Sequence, residues 1–203
     1  MIKTKEQIKA TWNKIGKKYG GYRRKPWKEI KDFIENVDDD LLDIGCGSCA
    51  NTKVVLDKGI KLYGVDFSKE ILKHVPEKVI KIEADCTKIP LKRKFKYIIS
   101  IGMLHHLPTE KDRINCLKEI KRLLAKDGEA FITVWYSKDK GSRLVKWGVD
   151  YDRFYHFFSK KELEDLLKKS DINNFELSKI SGAVKLNNFK SKKSINYLIT
   201  LKG

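Results

Sequence analysis

The sequence predicts an α/β fold, a doubly wound and mostly parallel sheet with an antiparallel hairpin at its C-terminal edge. Three observations carry this expectation. From residue 40 onward, apolar runs of strand length alternate with helical segments. The first run leads directly into a glycine loop, and acidic residues end the next two. Strands alternating with helices imply a parallel sheet covered on both faces, and loops at strand carboxyl ends are where such sheets bind ligands.

The elements follow in order. Ile8, Trp12, Ile15 and Tyr19 recur at helical spacing with lysines between them, which predicts an amphipathic helix over 4–19. Gly20-Gly21 ends it, Arg23-Arg24-Lys25-Pro26-Trp27 forms a basic connector, and Pro26 can open a second helix through about Asn36. Leu41–Ile44, Lys61–Val65, Val79–Ile82, Tyr97–Ile101 and Ala130–Trp135 have the length and β-branched content of strands. Helices are expected at about 51–58, 68–75 and 110–126. Thr109 and Asp112 stand at capping-box spacing before the last of these, with Ile114, Leu117, Ile120 and Leu124 on one face.

Beyond Trp135 a polar stretch precedes Tyr151–Phe158, and Ser159 with Glu162 caps a further helix. Strands around Phe175–Val184 and Ile195–Leu201, joined by the basic link Asn187–Lys193, are expected to form the edge hairpin. The 203 residues suit one domain, with 1–36 a basic helical cap, 37–136 a core and 137–203 a substrate-side segment.

The formal charge is +17, and it is uneven. Residues 1–31 carry +9, residues 32–137 carry +1 and residues 138–203 carry +7. Basic flanks around a neutral centre point to a polyanion, with nucleic acid ahead of a membrane because neither flank has the bulky apolar face of an interfacial helix. A solvated lysine-rich surface is the plainer alternative. No run approaches the ~18 apolar residues of a membrane span, and Met1–Ala10 lacks a signal-peptide core, so a cytoplasmic protein is expected.

The most informative segment is Leu41-Leu42-Asp43-Ile44-Gly45-Cys46-Gly47-Ser48-Cys49-Ala50. Its glycines allow a sharp turn and a close approach to a ligand. Asp43 precedes the first glycine. Asp66 ends the second strand, 21 residues after Gly45, where a carboxylate can accept both hydroxyls of a ribose. Asp85 ends the third, placed to meet an adenine amino group. Each aspartate alone is an ordinary turn residue. Together they favour a nucleoside ligand.

Two classes compete for it. Gly45-x-Gly47-x-x-Ala50 also satisfies a relaxed dinucleotide fingerprint, so a nicotinamide-dependent oxidoreductase is an alternative. The helical preface, the third acidic strand end and the lack of a second domain weigh against it. Cys46 and Cys49 spell C-x-x-C, but zinc needs four ligands, and only Cys86 and a histidine could join them; no metal is expected. The four cysteines are too few for a disulfide framework and imply a reducing compartment.

The series of motifs resembles the Rossmann-like class I S-adenosylmethionine-dependent methyltransferases. LLDIGCGS, YGVDFS and EADCTKIPL resemble their first three motifs, and KYIISIGMLHHL a fourth. In two places the sequence departs from the pattern: Cys49 stands where the third glycine is usual, and Lys96 where an aspartate is common. The resemblance implies S-adenosyl-L-methionine as cofactor, held by Asp43, Gly45, Cys46, Gly47, Asp66, Phe67, Asp85, Cys86 and Ser100.

Both flanks are similar to segments of one subfamily, the tRNA methyltransferases that esterify carboxymethyluridine at the wobble position. Arg23, Pro26 and Trp27 match its Arg-x-x-Pro-Trp element. Arg153-Phe154-Tyr155-His156 matches its Arg-Tyr-Tyr-His element except at Phe154, and His105-His106 with Arg113 matches its His-His loop and downstream arginine. The resemblance implies a tRNA anticodon stem-loop as partner and, as in eukaryotic members, a small zinc-binding activator subunit. It points to Arg23, Arg113 and Arg153 as clamps for a carboxylate or phosphate. His105, His106, Tyr155 and His156 are then the groups that stack on or hydrogen-bond the uridine. A class I methyltransferase acting on a small molecule, or a basic RNA-binding module without catalysis, is the alternative.

Overall fold

The computed structural model describes residues 3–18, 27–147, 151–185 and 191–203. The expected connector through Arg23 and Pro26, and most of the basic link after Asn187, lie outside the described residues.

Helix α1 (Lys5–Lys17) begins at a reciprocal cap, with Thr4 accepting from the Gln7 backbone and the Gln7 side chain accepting from Thr4. Helix α2 (Lys28–Glu35) starts after Trp27 and buries Ile30, Phe33 and Ile34. Strand β1 (Leu41–Ile44) is buried at all four positions, as a central parallel strand must be. The helix expected at 51–58 is a 3₁₀ helix, Lys53–Lys58, stopped by Gly59 at φ 76°. The one expected at 68–75 is only the four-residue α3 (Lys69–Leu72), capped by Ser68. Pro76 lies too close to allow a long continuation.

Strands β2 (Leu62–Asp66), β3 (Ile80–Glu83), β4 (Phe95–Ile101) and β5 (Leu124–Trp135) complete the parallel part, with helix α4 (Glu110–Leu123) running straight into β5. The stretch after Trp135 contains a strand that the sequence reading leaves as polar connector. There β6 (Gly141–Trp147) pairs antiparallel with β7 (Tyr151–Phe157) in a separate two-stranded sheet. Its alternation is weak because even Leu144 is exposed, and no apolar stripe marks it. Helix α5 (Lys160–Lys169) carries the expected Ser159–Glu162 capping box. Strands β8 (Phe175–Lys185) and β9 (Ser191–Lys202) form the hairpin.

The large sheet has the order β3-β2-β1-β4-β5-β9-β8, parallel from β3 to β5 and antiparallel beyond. Strand β9 lies beside β5, and β8 is the edge. One core, with Leu117, Ile120 and Leu163, packs α4 and α5 on one face. A second, with Ile30, Phe33 and Leu72, packs α2 and α3 on the other. The strand order reverses between β1 and β4, so their carboxyl ends open a crevice that neither helical layer fills. Two departures from the usual motifs have local partners. Lys96 pairs with Asp38 at 2.8 Å. Cys49 keeps a left-handed backbone at φ 53°.

Candidate active site

A cavity of about 260 Å³ occupies that crevice. Its floor is the loop after β1. Gly45 (φ 72°) needs its missing side chain, since a Cβ there would fall 2.3 Å from the Met103 side chain. Gly47 (φ 57°) faces open space, so its backbone is free to meet a ligand. Cys49 takes the third turn position at a backbone conformation that disfavours a side chain. Room for it comes from the next strand: a Cβ on Gly64 would lie 3.0 Å from the Cys46 sulfur and 3.1 Å from that of Cys49.

Asp66 stands at the end of β2, 7% exposed. One carboxylate oxygen accepts from the Gly47 N–H at 3.1 Å and the other from the Ser68 N–H at 2.9 Å. Each oxygen keeps lone-pair capacity toward the cavity, which suits a vicinal diol. Burial raises its pKa to about 6 against the pull of these backbone donors, so the group is ionised at neutral pH. Phe67, Cys46 and Cys86 line the cavity beside it. The Cys46 thiol is pushed up by its hydrogen bond with Cys49 and by burial, and Cys86 likewise by Cys116 and burial. Protonated thiols are poor metal ligands and nucleophiles. Among the described residues no cluster of His, Cys, Asp or Glu is arranged to hold a metal ion.

Asp43 and Ser100 lie behind the cavity wall. Asp43 accepts from the Thr52 hydroxyl at 2.7 Å and fastens the loop; burial lifts its pKa to about 7. Ser100 donates to the Ile44 carbonyl at 2.9 Å and ties β4 to the end of β1. Both sit where they shape the glycine loop from beneath.

Asp85, beyond β3, faces the cavity with one oxygen held by the Thr87 N–H and hydroxyl, at 2.9 and 2.8 Å. Its other oxygen pairs with the Lys5 ammonium at 2.9 Å. Burial works upward on its pKa, but the bonds from Thr87 and Lys5 outweigh it and hold the carboxylate ionised. Lys5, with Ile8 and Trp12, brings one face of α1 over the cavity. The periodicity of Ile8, Trp12 and Ile15 marks that face in the sequence; nothing there marks Lys5.

The opposite end is aromatic and cationic. His105 is fully buried, stacks on Tyr155 (centroids 4.9 Å apart, 15° between planes) and lies 4.4 Å from His106. Trp12 meets His106 edge-on at 5.0 Å. The Arg153 guanidinium lies over Tyr155 and Trp12, 5.1 and 5.9 Å from the ring centroids. The two imidazoles are opposite tautomers. His105 Nδ1 accepts from the Trp135 N–H at 3.4 Å, which puts its proton on Nε2, a buried atom with no partner among the described residues. His106 Nδ1 donates to the Phe154 carbonyl at 2.7 Å, which leaves Nε2 as an acceptor. Burial, reinforced by Arg153, holds both neutral; His106 falls to about 3 and His105 also falls well below its usual value.

Not every sequence candidate meets here. On β7, side chains alternate between faces, so Arg153 and Tyr155 enter the cavity while Phe154 and His156 point away. His156 instead bridges Ser142 (2.8 Å) and Glu162 (2.6 Å), joining β6, β7 and α5. Arg113 is buried, donates to the Leu107 carbonyl at 2.8 Å and lies over Phe158, so it braces the loop that carries the histidines. Arg23 lies outside the described residues. Trp135, Met103 and Lys5 also line the cavity, and no sequence signal marks them as site residues, because they come from elements that only the fold brings together.

A glycine loop, carboxylates at strand ends and a switch-point cavity are the features by which doubly wound folds take a nucleoside-bearing ligand. Comparison with known proteins narrows it. The family model described as a methyltransferase domain matches residues 19–177. A tRNA (carboxymethyluridine(34)-5-O)-methyltransferase of Xenopus tropicalis is 32% identical over 150 residues, covering 69% of this chain and 23% of that protein. One of Schizosaccharomyces pombe is 24% identical over 200 residues, covering 80% of this chain and 87% of that protein. In fold, the chain is similar to an S-adenosylmethionine-dependent methyltransferase of Clostridium acetobutylicum, with TM-score 0.65, 18% identity and coverage of 95% and 99% of the two chains. The chain belongs to the methyltransferase domain family and is an S-adenosylmethionine-dependent methyltransferase, not a nicotinamide-dependent oxidoreductase.

Proposed function

We propose that the enzyme esterifies the carboxyl group of 5-carboxymethyluridine at the wobble position of tRNA, and that it does so in the cytoplasm. The observation that carries this reading is the chemistry of the acceptor end. It offers a guanidinium, one buried neutral N–H donor and stacking rings, with both histidines held far from the pKa of a useful base. A hydroxyl or a protonated amine must give up a proton to become a good nucleophile. A carboxylate does not, because it is already ionised at neutral pH.

Bound S-adenosylmethionine supplies an activated methyl group on a sulfonium. Asp66 would accept from the ribose hydroxyls and Asp85 from the adenine amino group, while Gly45 and Gly47 would admit the methionine portion. Arg153 would orient the acceptor carboxylate without removing a proton from it. Tyr155, Trp12 and His106 would pack against the pyrimidine and exclude water. The three segments of the chain then act as one unit, because α1, the sheet and the β6–β7 hairpin meet at one cavity. The names of the relatives and the basic flanks support tRNA as the carrier of that carboxylate. Among the described residues no helix is long and apolar enough to cross a membrane.

Nucleoside mass spectrometry of tRNA incubated with enzyme and methyl-labelled cofactor tests the reading, with and without a small zinc-binding activator. Label is expected on carboxymethyluridine as a methyl ester that mild base removes. Unlabelled tRNA under both conditions, with transfer to a metabolite, would refute it.

A further inference from the structure

Helix α1 is held at its two halves by different forces. Its C-terminal half is packed tightly on α3: a Cβ on Gly16 would fall 2.8 Å from the Ile71 backbone nitrogen. Asn13 accepts from the Ser68 hydroxyl at 2.7 Å, and the Gly16 carbonyl meets His74 Nε2 at 2.8 Å. The N-terminal half is held over the cavity by ammonium groups. Lys9 pairs with Glu83 at 3.1 Å. Lys5 directs its ammonium at three acceptors: Asp85 at 2.9 Å, the Thr87 hydroxyl at 3.1 Å and Asp112 at 2.8 Å.

Asp85 lies just beyond the third strand, and Asp112 lies in the first turn of α4, just beyond the loop of His105 and His106. Isolated surface ion pairs contribute little. This one is different in kind, because one ammonium satisfies all three of its donors on two carboxylates and a hydroxyl, and is itself only 32% exposed. The contact crosses the rim of the cavity and links α1, the adenine-side carboxylate and the helix of the acceptor loop.

We propose that Lys5 is a positioning residue that latches α1 across the nucleoside end of the cavity and so retains the bound cofactor. The proposal rests on the reading of this cavity as the S-adenosylmethionine site. Opening would lift the N-terminal half of α1 about its anchored C-terminal half. The contacts broken include the Lys5 and Lys9 ion pairs as well as the burial of Ile8, so release of the cofactor product is sensitive to salt. Asp112 does not line the cavity; its carboxylate touches Lys5 and the Thr109 hydroxyl that caps α4.

The test is the dissociation rate of S-adenosylhomocysteine from the full chain, measured by stopped-flow displacement. Lys5→Met keeps the aliphatic stem and should raise the rate about tenfold, with Lys5→Arg restoring it to within about threefold. Asp112→Asn should accelerate release in the same direction, and added salt should accelerate release from the wild type more than from Lys5→Met, which keeps only the Lys9–Glu83 pair. A Lys5→Met rate equal to wild type at low salt overturns the latch. Wild-type protein that binds no S-adenosylhomocysteine refutes the cofactor reading of the cavity instead.

Discussion

The two ends of the cavity are built on different principles. The nucleoside end consists of groups at or just beyond the carboxyl ends of consecutive strands, each held by backbone N–H groups of the strand-end loops. Asp66 and Asp85 take their orientation from the N–H groups of Gly47, Ser68 and Thr87. The acceptor end is assembled from distant pieces: α1, the loop after β4, the end of β5 and strand β7. Its geometry depends on ring stacking and on hydrogen bonds to backbone far along the chain, such as His106 to Phe154. The first kind of site is robust and common to many acceptors; the second can be rebuilt for each substrate without disturbing the sheet.

That contrast can be broken most sharply at Asp66. Asp66→Ala removes the carboxylate facing the cavity, and affinity for S-adenosylhomocysteine should fall by roughly 100-fold, as expected for lost hydrogen bonds to a charged group. Binding of tRNA, measured by filter retention, should hardly change. Equal loss of both would show that the ends are not separable.

A second test addresses the loop that floors the nucleoside end. Gly64→Ala places a Cβ against the Cys46 and Cys49 sulfurs and should cost about 1–3 kcal/mol in urea unfolding. Adding Cys49→Gly relieves one of those contacts and should recover part of the loss. Additive effects in the double variant would mean that the two positions do not share space.

The smallest expected effect is on pH. Histidines with depressed pKa values stay neutral above those values, and the acceptor carboxylate is ionised, so the chemical step should be flat from about pH 6.5 to 9. Cofactor affinity should fall as pH drops through about 6, because Asp66 has a raised pKa and becomes protonated there. A bell-shaped chemical step centred near pH 7 would point instead to a working histidine base.

The same contrast explains what the sequence revealed. The groups proposed to hold the nucleoside were legible because they lie at or just beyond strand ends, which are marked by local patterns such as Tyr63-Gly64-Val65-Asp66. The parallel order and both covered faces followed from the alternation of runs. The acceptor end was legible only in part. Arg153, Tyr155 and the two histidines meet, but strand alternation on β7 separates His156 from Tyr155, and that strand could not be seen while its partner β6 carried no apolar stripe. Arg113 was found as an arginine; only its burial beneath Leu107 and Phe158 shows it bracing the loop. Lys5 had no local signal at all, because its three partners lie 80 or more residues away.

The most direct test of the account is Arg153→Glu, with methyl transfer to tRNA and affinity for S-adenosylhomocysteine measured on the same preparation. Transfer should fall at least about 100-fold, because a carboxylate would then face a carboxylate, while cofactor affinity stays within about threefold. Loss of cofactor binding, or full transfer activity, would contradict an acceptor end that reads a negative charge.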